Sequence, residues 1–174
     1  QRQMCIRDRY SSTSSACGSM RNVPSTSPLK SLRAAGQWYG EKLMGKRLAD
    51  NVRVDVTFIK DFHKNTGNSG TCIWEDDNIR PREFTIELDA SDEPDLILQN
   101  LAHEMVHVKQ WARGELKDSM RGHSLCKWMG KEFDTDKNEY YDLPWEIEAF
   151  GREYGLFARW RDHFVKQLED VDGL

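Results

Sequence analysis

The chain has no apolar run approaching the roughly 18 residues that a membrane span needs, so no spanning helix is expected. Paired cysteine is missing as well. Cys5, Cys17, Cys72 and Cys126 show no C-x-x-C or other paired spacing, which excludes a disulfide framework, and Cys72 and Cys126 read as free thiols of a reducing, cytoplasmic compartment. There is no internal repeat and no basic excess. Residues 1–28 carry Arg2, Arg7, Arg9 and Arg21 against Asp8, so a net charge of −4 for the whole chain leaves the remainder at −7. An acidic body is poorly suited to phosphate backbones, and a nucleic-acid partner is not expected. The opening residues also lack apolar periodicity and the apolar core of a secretory signal. Residues 1–9 read as translated adapter sequence, residues 11–15 are Ser and Thr, and Pro24 and Pro28 follow. The reading is a disordered or non-native tail over 1–28 and one domain over 29–174, in line with 174 residues at 38% hydrophobic content.

What is present is a run of five residues, His103-Glu104-Met105-Val106-His107, which spells H-E-x-x-H. Between residues 95 and 113 there is no Pro or Gly; Pro94 precedes this stretch and Gly114 follows it, the punctuation of a helix. On a helix, positions i and i+4 share a face, so both imidazoles can reach one metal ion with the carboxylate beside it. Winding the segment at about 100° per residue puts Ile97, Leu101, Met105, Val108 and Ala112 on one stripe and the histidines well away from it. One face is expected to pack and another to carry the chemistry.

Around this helix the pattern is α+β. Apolar residues recur at Leu32, Ala35, Tyr39, Leu43 and Leu48, predicting an amphipathic helix over residues 29–51. Val52, Val54, Val56 and Phe58 alternate with polar residues, as do Phe84, Ile86 and Leu88, and residues 71–74 make a short strand between them. Three strands in a mostly antiparallel sheet are expected. After Gly114 comes a mixed segment with extended structure near residues 127–133, then a last helix from residue 143 to about 168. Trp74, Trp111, Trp128, Trp145 and Trp160 read as core or cleft wall.

A catalytic zinc site takes three protein ligands and leaves a position open, so a third His, Glu or Asp is sought further on. Glu146, His123 and Glu148 are the candidates. With Phe150 as the origin of the last helix, Tyr154, Phe157, Arg161 and Phe164 lie within about 40° of it, and so does Glu146. Glu148 falls on the far side, next to Arg152 at i+4. A carboxylate on an apolar stripe needs a partner or a metal, whereas Glu148 already has a solvated ion pair, which favours Glu146. His123 remains an alternative because Gly122 would let the chain turn its side chain inward. Cys126, three residues after His123, is a weaker one.

Leu101-Ala102-His103-Glu104-Met105-Val106-His107, followed by Gly122-His123 and Cys126-Lys127-Trp128-Met129, resembles the SprT-like (Spartan-like) zincin peptidases, in which a later Gly-His supplies a third histidine. Beyond His123 the stretch Ser124-Leu125-Cys126 lacks that family's aromatic. Leu143-Pro144-Trp145-Glu146-Ile147-Glu148-Ala149 resembles instead the glutamate helix of gluzincins and of phage-type metallopeptidases, matching at Glu146. Phe150 stands where such relatives often carry an acidic residue.

The resemblance implies a small zincin-like domain with an N-terminal helix, a three-stranded sheet, the active-site helix and a C-terminal helix supplying the third ligand. It also implies a peptide or protein substrate and location in the cytoplasm, a host's if the chain is phage-encoded. His103, His107 and Glu146 are expected to hold Zn²⁺, with Glu104 as the general base of peptide-bond hydrolysis. Tyr140, Tyr141, His123 and His163 are candidate oxyanion stabilisers. The alternatives are a non-catalytic module stapled by a four-ligand metal, which would use both His123 and Glu146, and a DNA-associated protease of the SprT kind.

Overall fold

The computed structural model describes the backbone of residues 2–3, 28–119 and 124–172, and side chains within 31–119 and 124–166. Its architecture is α+β, with two small sheets and five helices among the described residues. No helix there is long and apolar enough to cross a membrane. Of the expected tail only β1 (Arg2–Gln3) is described, a two-residue strand paired antiparallel with Ile73 and Trp74; the rest of the tail before Pro28 lies outside the described residues.

Helix α1 (Pro28–Met44) buries Leu32, Ala35, Tyr39 and Leu43, four of the five residues on the predicted stripe. It stops earlier than expected. Gly45 takes φ 79, which only glycine adopts without strain, and the short helix α2 (Lys46–Ala49) follows it.

The first sheet corrects a second expectation. Strands β2 (Arg53–Ile59), β3 (Gly70–Trp74) and β4 (Glu83–Asp89) form a mixed sheet, ordered β1-β3-β4-β2. The longest pairing, Arg53↔Glu83 through Ile59↔Asp89, is parallel, and β3 runs antiparallel to β4. The physical reason is burial: β4 buries Phe84, Ile86, Leu88 and Asp89 and takes the centre, so β2 and β3 flank it. The turn between them is α3 (Phe62–Thr66), whose His63 N–H donates to the Asp89 carboxylate at 2.7 Å.

Helix α4 (Pro94–Arg113) carries the H-E-x-x-H motif. Pro94 stands in its first turn, and Gly114 ends it at φ 70 with the paired bonds of a Schellman stop, Glu115 N–H to the Gln110 carbonyl at 2.8 Å and Gly114 N–H to the Trp111 carbonyl at 2.9 Å. Every residue from Leu101 to Ala112 is buried. Trp111 meets Trp74 of β3 with ring centroids 4.1 Å apart, while Leu101 and Met105 pack on Gly36 and Gly40 of α1.

The segment after α4 is more regular than its sequence implies. Strands β5 (Leu116–Asp118), β6 (Leu125–Trp128) and β7 (Lys131–Asp134) make an antiparallel meander. Met129 and Gly130, both with positive φ, form the two-residue turn between the last two strands. This sheet packs on Trp145 through Trp128 and Phe133, fixing the start of the last helix, α5 (Pro144–Asp172). A 3-10 turn, η1 (Tyr140–Asp142), leads into it. Cys72 and Cys126 are buried free thiols.

Candidate metal centre

Helices α4 and α5 pack side by side, and the surface between them is polar. His103, His107 and Glu146 meet there, all buried, with one ligand atom from each lying close to the other two. His103 Nε2 and His107 Nε2 are 3.1 Å apart, and Glu146 Oε2 is 3.5 Å from each. Donors bound to a tetrahedral zinc ion at about 2.0–2.1 Å stand about 3.3 Å from one another. The three atoms therefore have the spacing of three corners of a metal tetrahedron.

The proton inventory points the same way. Gln110 donates its amide NH₂ to the Trp145 carbonyl at 2.9 Å and to Glu148 at 3.1 Å, so its oxygen must be the atom 2.8 Å from His107 Nδ1. His107 thus donates from Nδ1. His103 donates from Nδ1 to Glu153 Oε2 at 2.7 Å, and Glu153 is held in turn by Gln99 at 2.8 Å. In neutral imidazoles this leaves both Nε2 atoms as lone pairs, aimed at each other and at a carboxylate. Three electron-rich atoms converge that a cation would reconcile. Among the described residues Glu146 Oε1 is also buried without a hydrogen-bond partner, so the described groups do not saturate this carboxylate. The set fits a divalent ion, and the donor types do not by themselves choose among transition metals.

Without an ion the cluster answers by shifting protons. Burial lowers the pKa of His103, but bonding to Glu146 and Glu153 outweighs it and raises the pKa to about 10. Burial likewise lowers His107, and Glu146 overcomes it to give a net upward shift. Burial would raise Glu146, yet His107, His103 and Tyr140 together hold its carboxyl well below the usual carboxylate range. Tyr140 donates to Glu146 Oε2 at 2.7 Å; burial and that carboxylate push its phenol up, so it stays a donor.

Glu104 lies on the sheet side of the same helix. Burial raises its carboxyl above the ordinary value against the pull of His107 and His103, and its Oε2 makes no hydrogen bond among the described residues. Gly70 makes room for it, since a Cβ there would come within 3.0 Å of Glu104 Oε1.

The other candidates fall elsewhere. Glu148 binds Lys109 at 2.7 Å and Arg152 at 2.8 Å and touches Gln110, so it supports the cluster from outside and is not a ligand. His123 lies outside the described residues. Cys126 sits buried in β6, outside the cluster. Tyr140 is engaged by a ligand, Tyr141 is exposed, and His163 stacks on Trp38 at the other end of α5.

Sequence reasoning missed Glu153 and Gln110. Glu153 stands seven residues after Glu146, two turns along the same face; Gln110 follows His107 by three, about one turn away. The spacing was available, but neither residue type announces itself as the partner of a metal ligand.

The chain matches no family model, no curated protein and no solved structure.

Proposed function

We propose that the chain is a zinc-dependent peptidase of the H-E-x-x-H type, similar to the SprT-like and gluzincin peptidases. His103, His107 and Glu146 hold the ion and Glu104 is the general base. The observation that carries this reading is the convergence of three buried lone-pair atoms, 3.1–3.5 Å apart, beside a buried carboxylate with an unengaged oxygen. Among the described residues the cluster has three members, the number of protein ligands that a site with a position left for substrate uses. Two histidines and a carboxylate are the donor set of catalytic zinc.

The chemistry such an ion supplies when bound is Lewis acidity, which acidifies water and polarises a carbonyl oxygen. The residues do the rest. Glu104 accepts the proton of the attacking water as the C–O bond forms and returns it to the departing nitrogen as the C–N bond then breaks, so the amine leaves neutral. Burial keeps the Glu104 carboxyl above its usual pKa, nearer the range in which it can both take and give a proton. Glu153 and Gln110 fix the tautomers of His103 and His107, and Tyr140 fixes the carboxylate of Glu146.

The test is metal analysis of purified protein alongside Glu104→Gln, both assayed on an unfolded protein substrate. The variant is expected to keep its zinc and to lose cleavage by about 10²–10⁴-fold. Unchanged cleavage would remove Glu104 as the base.

A further inference from the structure

The ligand cluster is sealed unevenly. The side chains of Glu146 and His107 keep 0% and 1% of their surface, while His103 keeps 10%. His103 is therefore the outer edge of the cluster, and whatever reaches the ligand atoms from solvent passes over it. Its ring stands edge-on to that of Phe150, centroids 4.6 Å apart. Phe150 is 43% exposed, and Tyr141, its neighbour at 5.5 Å, is 71% exposed. Tyr140 joins the two, with its ring near both and its hydroxyl on Glu146. The inner side of α5 is formed by Trp145, Ala149, Leu156 and Trp160, and Phe150 and Tyr141 stand outside it.

We propose that Phe150 and Tyr141 form a subsite that receives a bulky apolar or aromatic side chain of the polypeptide substrate, next to the bond presented to the cluster. The proposal rests on the peptidase reading and names its substrate class. The rim is continuous with the most exposed of the three ligands, which places it beside the reacting bond and away from any remote surface. Rings in contact at 4.6 and 5.5 Å make a rigid apolar wall with little side-chain entropy to lose when a flat group settles against it.

The experiment uses the full zinc-loaded chain and two probes, phenylalanine hydroxamate and alanine hydroxamate, which share a metal-binding group and differ by one phenyl ring. Titration calorimetry is expected to find the phenyl compound about tenfold tighter, the size of effect that burying part of a ring supplies. Phe150→Ala and Tyr141→Ala should each cut that preference to about threefold or less with the zinc content unchanged, and Phe150→Leu should keep most of it. Equal binding of the two hydroxamates to the unsubstituted protein overturns the proposal. So does a preference that survives both alanine substitutions, or a change in sedimentation on Phe150→Ala with the preference intact, which would make the rim a self-association face. Cleavage of unfolded protein, read in parallel, separates the two claims: a ring preference without cleavage sinks the peptidase reading, and cleavage without a ring preference sinks the subsite.

Discussion

Toward α1, helix α4 presents Leu101 and Met105, which settle on Gly36 and Gly40; toward α5 it presents His103, His107 and Gln110, which are buried too. The first side is held by removal of apolar surface from water, at about 25 cal/mol per Å². The second gains little that way. Each polar group there has surrendered water and must recover its hydrogen bonds from the protein, and leaving one unpaired costs about 1–3 kcal/mol. Apolar residues of similar volume would hold the two helices together at least as well. On the proposed reading a buried face this polar serves what it can bind, and the two sides of one helix divide the work between folding and chemistry.

The division is broken most severely by taking the ion away and changing pH. In the metal-free chain the His103 pKa is raised to about 10, held up by Glu146 and Glu153 against burial. In the unfolded chain it titrates near 6.5. The stabilisation from His103 is thus complete below pH 6.5 and is lost as pH rises toward 10. His107, also raised, acts in the same direction. Glu146, with its pKa depressed by the same histidines, stabilises above about pH 4.5 and ceases to do so as acid protonates it. The zinc-loaded chain should slope the other way, because the ion needs both Nε2 lone pairs and protons compete for them. Melting temperature followed from pH 5 to about 9.5, with and without chelator, should show two curves diverging as pH rises. Parallel curves would mean that the cluster is not a metal site.

A smaller effect separates the two faces by substitution. Leu101→Ala should cost about 2–5 kcal/mol through the cavity it opens against α1, with metal binding intact in the folded fraction. Lys109→Ala acts on the other side. Lys109 is buried and bridges Glu115 at 2.6 Å and Glu148 at 2.7 Å; its removal leaves them only the more exposed Arg113 at 3.8 Å and Arg152 at 2.8 Å, at a cost of about 3 kcal/mol. Lys109→Met keeps the bulk and should be nearly as damaging. If Met restores stability, packing and not charge is what Lys109 supplies. Denaturant unfolding measures all three variants.

How much of this could be seen in the sequence differs between the helices for physical reasons. Helix α4 was legible because both of its ends are written in residue types with fixed backbone habits, Pro94 and Gly114, and because two histidines one turn apart have few structural uses. Glu146 was found by phase, although the phase origin was misplaced. On the stripe so defined Phe150 and Tyr154 are exposed and Phe157 is buried, while the main buried line runs through Trp145, Ala149, Leu156 and Trp160; Glu146 lies close enough to both lines to be selected by either. A helix with aromatics on two flanks does not declare its inner face, and here the outer flank borders the site. Strand order escaped because pairing across the sheet is non-local: β2 and β3 are successive in sequence yet separated by β4, and only relative burial chooses the centre. The second sheet was hidden by strands of three or four residues and by a left-handed Met129 where Asn or Gly would have announced the turn.

The smallest effects belong to the residues that touch no ion at all. Glu153→Gln keeps an oxygen for the His103 N–H and removes only the charge, whereas Glu153→Ala removes both; Gln110→Ala does the same for His107. Partners of this kind are worth about 10–100-fold in metal affinity, or about 1.4–2.8 kcal/mol. The expected order is therefore Gln a little below the parent, and Ala lower by the larger part of that range, read as zinc dissociation constants in a competition titration. The order matters more than its size. If Glu153→Gln falls as far as Glu153→Ala, the negative charge next to His103 is what strengthens the ligand; if it stays near the parent, Glu153 only holds the ring in place. If neither variant changes affinity, the Glu153 contact at 2.7 Å belongs to helix packing, and the polar side of α4 loses one of its two orienting partners.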